Sequence, residues 1–196
     1  MSRIIHNVGK VLLHAGLVGV ALLSGCGQEA PPAIAPIPKI DVDQEIRAKT
    51  KSQPLAFQEQ TVGSATLEDL QRKFPEATFK GADDGTGFST LTIFASADAP
   101  LDLVGVPLRH VDFDCWEGKL LSITHWYDSK DFEALEKGLQ AQYGEGEEVI
   151  AGQGWRMWKT TGHQTMTLLR RAGTVWMKDD SLSEKLEQAK ASRPSP

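Results

Sequence analysis

The chain has 196 residues, 40% of them hydrophobic, 24% charged and 7% aromatic, and a formal net charge of −5. That suits one globular domain with extensions and excludes a collagen-like or wholly disordered chain. The acidic balance argues against general nucleic-acid binding, which needs clustered Lys and Arg to displace counterions from phosphates, and two cysteines cannot build a disulfide framework.

The first ten residues carry Arg3 and Lys10 and no acid. Val11 to Leu23 is then apolar except for His14, Gly16 and Gly19. This is the length of a signal-peptide core and shorter than the ~20 residues of a membrane span. Leu23-Ser24-Gly25-Cys26 follows and resembles the bacterial lipobox. The resemblance implies a lipoprotein signal peptide over 1–25, cleavage before Cys26, diacylglycerol on the Cys26 sulfur and a fatty acyl chain on its amine. Gly27, rather than Asp, implies sorting to the outer membrane, with the body on the periplasmic side. Each buried methylene contributes ~0.8 kcal/mol, so two or three chains hold a protein that has no transmembrane helix. Cleavage would remove Arg3 and Lys10 and make the net charge more negative by two. Such a body stands off an anionic bilayer.

Cys26 and the residues to 60 read as a flexible tether. Pro31, Pro32, Pro36 and Pro38 favour extended chain at ~3.1 Å per residue. The stretch from Asp41 to Gln60 is polar and weakly patterned. The body is assigned to 61–190 and a disordered tail to 191–196.

Thr66 can cap a helix in which Leu67, Leu70 and Phe74 share a face; acids open it, Arg72 and Lys73 close it, and Pro75 stops it. Strands are expected at Thr78–Phe79 and Phe88–Ala95, then a loop from Ser96 to Pro107. A hairpin runs from Leu108 to Cys115 and back from Lys119 to Tyr127. A three-residue loop ending in Gly118 would set Phe113 opposite Leu121 and Val111 opposite Ile123, apolar against apolar. Ser129 is expected to cap a helix with Phe132, Leu135, Leu139 and Tyr143 on one face, ended by Gly144. A Gly/Glu loop from Gly144 to Gly154 precedes strands at Trp155–Lys159, Thr165–Arg170 and Thr174–Lys178. Ser181 and Glu184 suggest a capping box for a last helix, Leu182 to about Ala189. The expected fold class is α+β: an antiparallel sheet with helices packed on one face. Leu70–Phe74 and Leu139–Tyr143 share a spacing, each followed by a breaker and Glu, which suggests a tandem helix-plus-strands repeat.

A lipobox, a Pro-rich tether, a helix opened by Gly63 and Thr66 and closed near a proline, and then an antiparallel sheet together resemble SmpA/OmlA-type outer-membrane lipoproteins. They also resemble the wider β-lactamase-inhibitor-like αβ fold. The family's Gly-x-Thr is here Gly-x-x-Thr, and Phe74-Pro75 replaces its Gly-x-Pro. The resemblance is architectural, spans Thr61 to Ser129, and transfers no binding residue.

No catalytic constellation is legible. His110, Asp112 and Asp114 alternate on one arm of the hairpin and His125 lies on the other, a His/Asp group that could hold a metal or move protons. The register sets His125 opposite Arg109, away from His110, and no HExxH or CxxC supports a site. The Asp83–Gly87 loop lacks the ligand spacing of a calcium loop. Neither a metal nor a cofactor is expected. Cys115 should be a small buried hydrophobe. Among the five tryptophans, Trp126, Trp155, Trp158 and Trp176 form the candidate binding face, because tryptophan outside a core often anchors a protein partner. The expected function is a non-enzymatic, membrane-anchored module that binds a protein in envelope assembly or maintenance. An inhibitor or immunity protein against a toxin or hydrolase, and a small-ligand or metal-binding protein, are the alternatives.

Overall fold

The computed structural model describes residues 50–51, 53–81, 86–160 and 162–192. The signal-peptide region, Cys26, the Pro-rich stretch, Asp83 to Gly85 and the residues from 193 onward lie outside the described residues.

The elements in chain order are β1 (Ala56–Phe57), β2 (Gln60–Thr61), α1 (Leu67–Lys73), β3 (Thr78–Gly81), β4 (Phe88–Phe94), β5 (Asp102–Leu103), β6 (Val106–Trp116) and β7 (Lys119–Tyr127). After a 3-10 turn (Ser129–Asp131) come α2 (Phe132–Tyr143), β8 (Glu147–Ile150), β9 (Trp155–Lys159), β10 (Gln164–Leu169), β11 (Thr174–Asp179) and α3 (Asp180–Ala191). The fold is α+β. One antiparallel sheet is ordered β3-β4-β6-β7-β11-β10-β9-β8, with β5 paired to β6, and β1 and β2 form a separate hairpin. Among the described residues no helix is long and apolar enough to cross a membrane.

This order is a helix followed by a four-strand meander, twice. Each meander starts at a sheet edge and runs inward. The two meet where β7 pairs with β11, Ile123 opposite Met177 and His125 opposite Val175. Leu70 and Leu139 are both fully buried.

The core follows from strand alternation. Leu91, Ile93, Val111, Phe113, Ile123, Tyr127, Val175, Met177, Met166, Leu168 and Trp158 are buried in one cluster with Leu70, Phe132, Leu135, Leu139 and Tyr143 of α1 and α2. The third helix departs from the expectation that all helices share a face. In α3, Leu186 is buried in a second cluster with Trp116 and Leu121, against which Phe88, Leu182 and Ala189 pack. Phe88 and Trp116 alternate with the core residues of β4 and β6, so this cluster lies on the opposite side of the sheet.

The hairpin register also differs from the expectation. Trp116 pairs with Lys119, so the turn has two residues, and Glu117 (φ 49°) and Gly118 (φ 75°) both adopt the left-handed region. The pairing then shifts by one residue between Asp114 and Cys115, a bulge that leaves Leu121 unpaired. Beyond it Phe113 faces Ile123 and Val111 faces His125. The bulge satisfies both sides at once: Phe113, Ile123, Val111 and His125 stay buried in the main core, and Leu121 turns to the Trp116 cluster.

Four further expectations change. Residues from Thr50 to Gln60, assigned to the tether, belong to the body. Leu55 and Phe57 are 0% and 3% exposed, and Lys51 N donates to Tyr143 O (2.8 Å). Asp128 caps the 3-10 turn before α2, accepting from Lys130 N, in place of Ser129. Asp179, accepting from Leu182 N at 2.8 Å, caps α3 in place of Ser181. The Gly/Glu loop holds edge strand β8, whose glutamates and bulge hid it from a hydrophobic pattern. Thr66 caps α1 as expected, and Asp69 completes a capping box there.

Candidate functional site: an aromatic row on the sheet face opposite the main core

The residues that alternate with the core form in-register rows across the sheet. One row runs Phe94, His110, Trp126, Thr174, Leu169, Trp155 over six strands. Its neighbour runs Thr92, Asp112, Thr124, Trp176, Thr167, Met157. A third contains Asp114, Ser122, Lys178, Thr165 and Lys159. The second cluster under α3 lies toward the Glu117-Gly118 turn, and the first row lies away from it.

The first row is a stack of rings. His110 is stacked on Trp126 with centroids 5.1 Å apart and planes 17° apart, and Phe94 follows at 5.5 Å and 34°. Phe94 is 64% exposed and Trp176 39%. Beside the rings lie two carboxylates, Asp112 in the neighbouring row and Asp114 in the row after it. Asp112 accepts from Thr92 Oγ1 (2.7 Å) and Trp126 Nε1 (2.8 Å). Asp114 accepts from Thr90 Oγ1 (2.8 Å) and Ser122 Oγ (3.0 Å). Burial pushes the Asp114 carboxyl above the usual range, the two hydroxyl bonds oppose the shift, and the Asp112 charge adds to it.

A cleft of about 750 Å³ continues this face under α3. Trp155, Met157, Thr167 and Trp176 line it on the sheet side and Ser183, Glu184 and Glu187 on the helix side. Lys178 Nζ sits 5.2 Å over the Trp176 ring and pairs with Asp180 at 3.2 Å. Thr165 Oγ1 donates to Asp180 Oδ2 (2.7 Å), which ties the start of α3 to β10.

Of the four tryptophans expected on a binding face, three lie here: Trp126, Trp155 and Trp176. Trp158 does not. It points into the core at 0% exposure and donates its Nε1 to Gly144 O (2.8 Å). Its parity on β9, opposite to Trp155, decides this. Phe94 and His110 were missed as members of the face, because their alignment with Trp126 depends on three-strand register. The Phe94 signal was its alternation with Leu91 and Ile93.

The His/Asp group is divided by the sheet, with His125 away from His110 as the sequence implied. His110, Asp112 and Asp114 share the outer face, whereas His125 is fully buried in the core with its ring 4.9 Å from Phe57. Its Nδ1 donates to Val175 O (3.2 Å), and Nε2 has no partner. Burial pushes its pKa down to about 4, against a smaller opposing effect of that hydrogen bond. Among the described residues no group of three or more His, Cys, Asp or Glu is placed to hold a metal ion. Cys115 is buried in the main core, and burial raises its thiol to about 12.

No family model, no curated protein and no solved structure matches this chain.

Proposed function

We propose that this protein is a lipid-anchored, non-enzymatic binding module on the periplasmic side of the outer membrane, and that it engages a protein partner through the aromatic row. The single observation that carries the reading is the row itself: Phe94, His110 and Trp126 in register on the face away from the main core, with Phe94 64% exposed. A solvated sheet face is normally polar, and exposed aromatics at the centre of a patch are typical interface anchors. Support for the anchor is the order of a basic start, an apolar stretch and Leu23-Ser24-Gly25-Cys26. The acidic charge favours a second reading, an inhibitor or immunity-type lipoprotein that covers a basic enzyme.

Two experiments test this. A clickable palmitate should label the full-length protein in cells and fail to label Cys26→Ser; equal labelling ends the anchor reading. A photo-crosslinking residue at Phe94 in living cells should give a discrete protein adduct that the same residue at the exposed Lys185 does not. Absence of an adduct, or the same adducts from both positions, ends the binding-face reading. A secreted enzyme in the adduct selects the inhibitor reading; envelope machinery selects the first.

A further inference from the structure

This inference rests on the binding-face reading and names the partner's chemistry. We infer that the aromatic row and the carboxylates beside it take an extended basic segment of a partner protein, whose Arg or Lys side chains lie against Phe94 and Trp126 and reach Asp112.

The charge arrangement is the first argument. Asp112 and Asp114 are paired with neutral donors: the hydroxyls of Thr90, Thr92 and Ser122 and the Trp126 indole. Among the described residues the only ionisable partner within 4 Å of either is His110, whose Nε2 is 3.8 Å from Asp112 Oδ2. Lys80 on β3 and Lys178 on β11 lie in the Asp114 row, each two strands away from Asp114, and Lys178 is engaged by Asp180. Among the described residues, two carboxylates thus sit side by side on a sheet with no Lys or Arg in ion-pair contact with either. Asp112 keeps 23% of its side chain exposed and uses one acceptor position on each oxygen, so further acceptor positions remain for a cation from outside.

The rings are the second argument. Arg and Lys are attracted to aromatic rings, and this chain already places Lys178 over Trp176 and Arg170 over Phe132. Phe94 is the most exposed ring of the row and lies diagonally across the strand pair from Asp112. A guanidinium can therefore stack on one and pair with the other.

Length is the third argument. The row crosses six strands, roughly 24 Å at the usual strand spacing. An extended peptide of about seven residues spans that distance, and a small ligand does not. The net charge of −5 would steer a basic partner toward the protein from a distance.

The test uses the full chain in detergent and a synthetic peptide of alternating Arg and Thr, with a citrulline-for-Arg peptide as its neutral twin, followed by tryptophan fluorescence. The Arg peptide should bind, weaken as salt is raised, and bind about tenfold more weakly to Asp112→Asn. Phe94→Ala, at an exposed position that leaves folding intact, should also weaken it. The inference is overturned if the Arg peptide fails to bind, if the citrulline peptide binds as well, or if neither variant changes the affinity. Should the peptide fail while the Phe94 crosslink captures a protein, the basic-segment inference falls alone. Should both fail, the binding-face reading falls with it.

Discussion

Tryptophans 155 and 158 are three positions apart and play opposite parts. Trp158 fills the core beside Gly146, where an added Cβ would lie 2.5 Å from the indole Cε2. Trp158→Ala should therefore cost about 3–5 kcal/mol and lower the melting temperature sharply. Phe94→Ala should change stability by less than about 0.5 kcal/mol, because the ring it removes is mostly in water. His125 supplies a pH dependence. Its folded-state pKa is lowered from 6.5 to about 4 by burial, so the unfolded chain takes up a proton that the folded chain refuses. The stability it contributes is whole above about pH 6.5 and drains as pH falls toward about 4, by as much as about 3 kcal/mol. Asp114, shifted upward, works in the opposite direction and softens the loss. His125→Leu removes an unpartnered Nε2 but also the Nδ1 bond to Val175 O, so it should cost about 1–3 kcal/mol at pH 7. Denaturant midpoints from pH 7 to pH 5 should fall more steeply in the parent chain than in this variant; parallel slopes would contradict the assignment.

Local chemistry decides the elements. The Glu117-Gly118 turn puts both residues at positive φ, a geometry that favours Asn-Gly. Glu117→Asn should stabilise the hairpin by a few tenths to about 1 kcal/mol, read as a higher denaturant midpoint. At the other end of the chain, Asp179→Ala removes the α3 cap and should cost about 1 kcal/mol, with faster amide exchange confined to 180–191. The helices α1 and α2 were legible because each carries its own periodicity and stop signal: Leu70 with Pro75, and Leu135 and Leu139 with Gly144. The caps were less legible. Ser181 has the right chemistry, but the backbone leaves β11 two residues earlier, and Asp179 is the residue in extended conformation there. Strand β8 was illegible because an edge strand carries charge to prevent further pairing, and so lacks the apolar alternation that marks a strand.

The body begins well before Thr61. Leu55 and Phe57 lie in the main core, Gln164 Nε2 donates to Val62 O (2.7 Å), and Leu55 N donates to Gln164 Oε1 (2.8 Å). A fragment starting at Thr61 should lose cooperative thermal unfolding, whereas one starting at Thr50 should keep it; circular dichroism melting distinguishes the two. Composition alone made this segment look like tether, since Leu55 and Phe57 find partners such as Phe113, His125 and Gln164 only through distant parts of the chain. The tandem order, by contrast, was visible in the shared spacing of Leu70–Phe74 and Leu139–Tyr143. The sequence by itself determined the helix faces, most strands and the α+β class, because each of those depends on contacts within a few residues. Only the tertiary structure decided the register around Leu121, the side of the sheet that α3 covers, and the alignment of Phe94, His110 and Trp126 into one row. Those depend on which strands become neighbours, and a bulge of a single residue is enough to move every side chain beyond it to a different partner.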